Sequence, residues 1–265
     1  MLDPLRVRLQ QGQRTIDFPR AGPDLPELFR GLPVLAPERS ADGCRACIEA
    51  CPTGALSASP NLQLDLGRCL FCTDCVDACP TDAVRFTRGY QLSARRREDL
   101  VQRGDEALVK VEALEKQARR LFGRSLRLRQ VSAGGCNACE ADVAVLNTVV
   151  FDLGRFGIQF VASPRHADGL LITGPVTRNM RDALRVTYDA VPGPKIVVAV
   201  GSCAIAGGPY IGHPEVEGGA DAVVPVDLYI AGCPPHPVTI LDGLLSLLDR
   251  LPDHAAARAS AKPRP

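Results

Sequence analysis

Cysteine is the residue through which this sequence can do chemistry, and there are 11 of them. Seven fall between Cys44 and Cys79, and the other four are Cys136, Cys139, Cys203 and Cys233. Set against itself at an offset of 28 residues, the chain places Cys44-Arg-Ala-Cys47-Ile-Glu-Ala-Cys51-Pro-Thr over Cys72-Thr-Asp-Cys75-Val-Asp-Ala-Cys79-Pro-Thr. The second copy also has Cys69 and reads C-x2-C-x2-C-x3-C-P. Spacing this tight lets three thiolates of one short turn hold three corners of an iron–sulfur cube, with the fourth corner supplied from elsewhere. In the first copy the repeat sets Ala41 where Cys69 stands in the second, and alanine cannot ligate iron. Zinc fits less well, because zinc modules pair two separated CxxC units and do not use this run.

The four later cysteines each sit in a Gly- or Pro-rich turn. Cys136-Asn-Ala-Cys139-Glu140 follows Ala-Gly-Gly, Cys203 lies in Gly201-Ser202-Cys203, and Cys233 in Gly232-Cys233-Pro234-Pro235. Apolar runs reading LRLRQV, IQFV, GLLITG, KIVVAVG and AVVPVDLYIAG predict strands, and segments of helical period separate them. One predicted helix follows Cys139, with Val143, Leu146, Val149, Val150 and Leu153 on one face. Another starts at Pro237, well placed as a first helical residue, and carries Leu241, Leu244, Leu245, Leu248 and Leu251. Alternating strand and helix argues for a parallel sheet, in which ligands collect at the carboxyl ends of the strands. Cys203 and Cys233 directly follow strand-like runs, so all four thiols can converge on a third cube, with glycines letting backbone N–H groups approach its sulfurs.

The chain has 265 residues, 31 Lys+Arg against 30 Asp+Glu, and 46% hydrophobic residues. That length suits two domains, and the balanced charge gives no footprint for nucleic acid. An odd cysteine count excludes a fully paired disulfide framework, and the start MLDPLRVRLQQGQR does not read as a secretory signal. A reducing cytoplasm is the expectation, where clustered cysteines serve metal or redox chemistry. No apolar run reaches the roughly 18 to 20 residues that cross a bilayer. The division expected is 1–87 for the first cysteine module, 88–125 for a charged helical connector striped by Leu100, Leu108, Val111, Leu114, Ala118 and Leu121, 126–252 for the second module, and 253–265 for a frayed tail.

Residues from about Pro37 to Phe86 resemble the 8Fe ferredoxins. In two-cluster ferredoxins the Cys before Pro serves the other cluster. The resemblance therefore implies one 4Fe-4S cluster on Cys69, Cys72, Cys75 and Cys51, and another on Cys44, Cys47 and Cys79 with an open fourth position. Ser40 fills it if the loop is one residue longer than usual, and Asp42 is a second candidate. A non-protein ligand, a 3Fe-4S cluster or an empty site would also fit three thiolates.

From about Leu126 to Leu251 the chain is similar to the small subunit shared by nickel-iron hydrogenases and complex I. The segments carrying this are Ser163-Pro164-Arg165-His166-Ala167-Asp168, Thr173-Gly174-Pro175-Val176-Thr177-Arg178-Asn179-Met180, Gly201-Ser202-Cys203, Pro225-Val226-Asp227 and Gly232-Cys233-Pro234-Pro235. Cys-x-x-Cys-Glu in the first loop, in place of two adjacent cysteines, places the likeness with the membrane-associated, energy-converting hydrogenases. The resemblances together imply an α+β ferredoxin-like domain followed by an α/β flavodoxin-like domain with a parallel sheet. They imply three 4Fe-4S clusters, the third on Cys136, Cys139, Cys203 and Cys233 beside a nickel-iron large subunit. They also imply a redox donor protein, membrane subunits of the same complex, and a peripheral place on the cytoplasmic side of the inner membrane. The chain would be an electron-relay subunit of an oxidoreductase, with no complete active site of its own. Glu140 supports cluster geometry or proton transfer on this reading, or is simply a carboxylate favoured at a helix start. His166 reads as a structural histidine, while His213, His236 and His254 carry no ligand spacing. Asn137 and Arg178 are weaker candidates for the cluster surroundings or the partner surface. Two alternatives stay open: a relay in a complex I-like quinone oxidoreductase, and a metal-stabilised scaffold with no redox role.

Overall fold

A computed structural model of the chain describes residues 3–36, 38, 45–58, 61–104, 108, 111, 113, 114, 122 and 125–251. In chain order the first half supplies helix α1 (Asp3–Gln11), strand β1 (Pro33–Leu35), α2 (Ala46–Glu49), β2 (Leu56–Ser57), β3 (Gln63–Asp65), α3 (Asp74–Asp77), β4 (Val84–Phe86), β5 (Ser93–Ala94) and β6 (Val101–Arg103). The second half supplies β7 (Leu126–Ser132), α4 (Ala138–Val145), β8 (Ile158–Phe160), β9 (Gly169–Thr173), α5 (Arg178–Ala190), β10 (Ile196–Val200), α6 (Ser202–Ala206), β11 (Leu228–Ile230) and α7 (Pro237–Leu247).

All five predicted apolar runs contribute strands to one six-stranded sheet of order β5-β11-β10-β9-β7-β8. Every neighbouring pair is parallel except β11 with β5. Its central strands are apolar on both faces, as a parallel sheet covered on both sides requires. Leu170, Ile172, Val197 and Ala199 join one apolar cluster, while Leu171, Ile196, Val198 and Val200 join the other. The second cluster is completed by Val143 and Leu146 at α4 and by Ile240, Leu241, Leu244 and Leu245 of α7. The first runs without a break into the N-terminal module, taking in Leu35, Leu56, Leu64, Leu66 and Phe71. One face of the sheet is thus buried jointly by the cysteine-rich module and by Leu184 of α5 and Ala204 and Ile205 of α6.

That module pairs β1 with β4 antiparallel and places α2 and α3 at the two copies of the repeat. A three-stranded antiparallel sheet of order β2-β3-β6 lies beside it.

Two expectations about helices need correction. The charged segment does not open as a helix: from Ser93 to Arg103 it forms β5, a 3-10 turn (Arg97–Leu100) and β6. Backbone pairing decides this, since β11 and β3 each offer an open edge that the segment closes. Val111 and Leu114 of the expected stripe are buried without a described helix, and Leu114 N–H donates to Leu247 O at 3.0 Å. Ala118, Leu121 and the tail 253–265 lie outside the described residues. The helix after Cys139 ends at Val145, so Val149 and Val150 are 67% and 39% exposed while Val143, Leu146 and Leu153 are fully buried.

Candidate metal centres

The loop from Cys69 to Cys75 closes tightly because Phe71 (φ 54°) and Thr73 (φ 76°) adopt left-handed backbone. That bend carries Cys69, Cys72 and Cys75 to one small pocket, and Cys51 lines the same pocket from the other copy of the repeat. Backbone donors already face these sulfurs. Phe71 N–H reaches Cys69 Sγ at 3.3 Å and Ala55 N–H reaches Cys51 Sγ at 3.2 Å. Burial, reinforced by the charges of Cys75, Cys51 and Cys72, pushes the Cys69 thiol up to about 12. Burial and the charges of Cys51, Cys72 and Cys47 take Cys75 to about 12 as well. Burial also raises Cys72, whereas at Cys51 the N–H groups of Thr53, Ala55 and Leu56 outweigh it and lower the thiol.

Repeat symmetry extends to Cys79, whose Sγ accepts Ala83 N–H at 3.2 Å as Cys51 accepts Ala55 N–H. Burial raises that thiol, but the N–H groups of Thr81, Ala83 and Val84 outweigh it and leave it lowered. Cys47 is buried on α2. Cys44, Ser40, Ala41 and Asp42 lie outside the described residues.

The four later cysteines come together at the carboxyl ends of β7, β10 and β11. Asn137, left-handed at φ 70°, turns the chain from the Cys136 loop into α4, which carries Cys139. Cys203 lies on α6 and Cys233 just past β11. Burial raises Cys139 far above an ordinary thiol, and Cys203, Glu140, Cys233 and Cys136 add to the effect. Burial and the charges of Cys233, Cys136 and Glu140 take Cys203 to about 12. Cys139 and Cys203 are buried, whereas Cys136 and Cys233 are exposed, so one side of the group opens to solvent. Gly201 is the close approach: at φ 90° a Cβ there would lie 2.5 Å from Cys139 Sγ.

Glu140 is anchored. Its Oε1 accepts from Ser132 Oγ at 2.6 Å and from Thr173 Oγ1 at 2.7 Å, tying α4 to the ends of β7 and β9. Burial pushes this carboxyl up, but the two hydroxyls outweigh it and hold it below the usual range. His236 caps α7, its Nδ1 accepting Val238 N–H at 3.2 Å. Arg178 faces Glu215 at 3.6 Å on the surface.

Two thiol groups distant in sequence meet at one seam. Ser202 Oγ donates to Cys69 O at 2.6 Å and also lies 3.1 Å from Gly232 O. Burial raises the Cys233 thiol, and the charges of Cys136 and then of Cys72, from the other group, add to it. Ser202 adjoins Cys203 in the chain, but nothing in the sequence pairs it with a carbonyl 133 residues away. Arg30 escaped the sequence reading for the same reason; its Nη1 donates to Phe71 O at 2.8 Å and Cys72 O at 3.2 Å.

The donor sets fit iron–sulfur clusters. Among the described residues no group of three or more His, Cys, Asp or Glu side chains closes on a single point as one metal ion requires. Cys51, Cys69, Cys72 and Cys75 instead line one pocket, with N–H groups directed at the sulfurs of Cys51 and Cys69, and the raised thiols of Cys69, Cys72 and Cys75 need positive charge among them to ionise together.

Residues 136–247 match the family described as NADH ubiquinone oxidoreductase, 20 Kd subunit, and residues 42–83 match the 4Fe-4S dicluster domain. The chain is 40% identical over 141 residues to a probable membrane-bound hydrogenase subunit of Pyrococcus furiosus, spanning 52% of this chain and 84% of that protein. It is 44% identical over 135 residues to formate hydrogenlyase subunit 7 of Escherichia coli, spanning 51% of this chain and about half, 53%, of the relative. A chain of the membrane-bound sulfane sulfur reductase, an archaeal respiratory membrane complex, is 36% identical with a TM-score of 0.45, covering 54% of this chain and 79% of that one.

Proposed function

The chain belongs to the family of the 20 Kd subunit of NADH ubiquinone oxidoreductase, preceded by a 4Fe-4S dicluster domain, and from that premise we propose that it is the iron–sulfur electron-relay subunit of an energy-converting hydrogenase complex. When bound, the clusters would supply one-electron transfer. Cys51, Cys69, Cys72 and Cys75 would hold one cluster, and Cys136, Cys139, Cys203 and Cys233 another, proximal to a partner's nickel-iron centre. Cys44, Cys47 and Cys79 would hold a third, with Ser40, Asp42 or a non-protein group as fourth ligand, or a 3Fe-4S form in its place. The 1–87 and 126–252 units are then a ferredoxin-like and a flavodoxin-like domain.

The chain's own residues hold and orient these groups. N–H groups of Ala55, Phe71 and Ala83 donate to thiol sulfurs, and such donors tune a cluster's potential. Leu56, Leu64 and Phe86 wall the first pocket with apolar or aromatic side chains. Glu140 fixes the loop between Cys136 and Cys139 through Ser132 and Thr173. The open side at Cys136 and Cys233 is the face we assign to the large subunit. No helix among the described residues is long and apolar enough to cross a membrane, and attachment on the cytoplasmic side of the inner membrane would come through partner subunits.

The observation that carries the proposal is the Ser202–Cys69 hydrogen bond, which seats one thiol group against the other. Anaerobic iron and sulfide analysis with EPR tests it. About twelve irons reducible by dithionite are expected for three cubes, about eleven if one is a three-iron cluster, and about eight if one site is empty. Zinc in place of iron, or clusters that dithionite leaves oxidised, would refute the relay. A co-purifying large subunit lacking nickel-binding cysteines would refute the hydrogenase assignment and favour a complex I-like one.

A further inference from the structure

Residues 15–30 lie outside both matched regions, yet they bind both modules. Ile16 N–H donates to Val150 O at 2.9 Å, and Arg155 Nη2 donates to Ile16 O and Phe18 O at 2.9 and 2.8 Å. Phe29 then meets the His236 ring edge-on, with centroids 5.6 Å apart. Next comes Arg30, clamped on the carbonyls of Phe71 and Cys72. Arg30 also lines one pocket with Cys233, so its guanidinium lies where the two thiol groups meet. Among the described residues no carboxylate forms an ion pair with it.

We propose that this N-terminal strap delivers Arg30 as a positioning residue whose charge raises the reduction potential of the clusters at the seam. The inference rests on the relay reading above. Reduction of a cluster adds one electron and no proton, so the reduced form is one unit more negative and gains more from a nearby cation. Because Arg30 is solvent-exposed, the effect is moderate and weakens as added salt screens it.

Mediated redox titration followed by EPR, on the full chain purified anaerobically, provides the test with Arg30→Gln and Arg30→Lys. Gln keeps an amide donor for the two carbonyls and loses the charge; Lys keeps the charge. We expect Arg30→Gln to lower the potential of at least one cluster by an amount equal to about threefold in the reduction equilibrium, ~28 mV for one electron at 59 mV per tenfold. Arg30→Lys should retain most of the wild-type potential, and the gap between the variants should narrow at high salt. Unchanged potentials in Arg30→Gln, equal shifts in both variants, or iron loss in both without a shift in what remains would each overturn the proposal. A wild-type chain with no reducible cluster would instead bring down the relay reading, and this inference with it.

Discussion

Ser202 Oγ donates to the carbonyl oxygen of Cys69 at 2.6 Å across the boundary between the two cysteine-bearing modules. The serine is 1% exposed, so the bond is made away from water and joins the residue before Cys203 to a residue of the other thiol group. Ser202→Ala leaves that carbonyl without its hydroxyl donor, at a cost of about 1–3 kcal/mol. Thermal unfolding of the anaerobic protein should show a lower midpoint, and an unchanged midpoint would mean that the seam is held by other contacts.

Gly201→Ala should remove one cluster selectively. The positive φ disfavours any side chain, and the new Cβ would fall 2.5 Å from Cys139 Sγ. Iron content should drop by one cluster's worth, while the EPR signals of the N-terminal sites persist. Full iron content in this variant would show that the four later cysteines do not share a cluster.

Arg97 and Asp65 form a two-pronged ion pair at 2.8 and 2.7 Å, with side chains 26% and 22% exposed. Asp65 Oδ1 also accepts Gly67 N–H at 2.9 Å, and its backbone oxygen accepts Cys69 N–H at 3.0 Å, so the pair steadies the turn that presents Cys69. Arg97→Ala should destabilise by about 1–2 kcal/mol, between the values for surface and buried pairs. Asp65→Asn should cost less, because Asn keeps an acceptor for Gly67. A double-mutant cycle with no coupling between the two positions would refute this account.

His236 predicts a loss of stability in mild acid. Burial lowers its pKa, and its Nδ1 must be unprotonated to accept Val238 N–H at the start of α7. Since the folded value lies below the unfolded one of about 6.5, the contribution is complete above that pH and is lost as pH falls through the folded value. His236→Asn retains a capping acceptor without titrating. The pH profile of its denaturation midpoint should be flatter than wild type between about 7 and 5; equal slopes would assign the acid sensitivity to another group.

The parallel sheet was legible because its strands are buried on both faces, which leaves uninterrupted aliphatic runs such as Ile196–Val200. Pro237 marked the start of α7 for a similarly local reason, its missing N–H being harmless in a first turn. Local pattern misled at Ser93–Arg103, where edge pairing with β11 and β3 prevailed over a helical stripe. It misled again beyond Val145, where Val149 and Val150 face outward.

Thiol grouping divides along the same line. Repeat spacing alone set Cys69, Cys72 and Cys75 on one turn, since short spacing restricts what the backbone can do. The order of the strands, which no local pattern encodes, brought Cys139, Cys203 and Cys233 to one edge of the sheet. Sequence by itself thus determined the kind of chemistry, two cysteine-bearing modules and the absence of a partner cysteine at Ala41. Only the tertiary structure decided that the modules share one apolar cluster, that Ser202 meets Cys69 and that Arg30 reaches the seam. Those contacts join residues far apart in the chain, and their partners are backbone carbonyls, which every residue carries and no sequence pattern distinguishes.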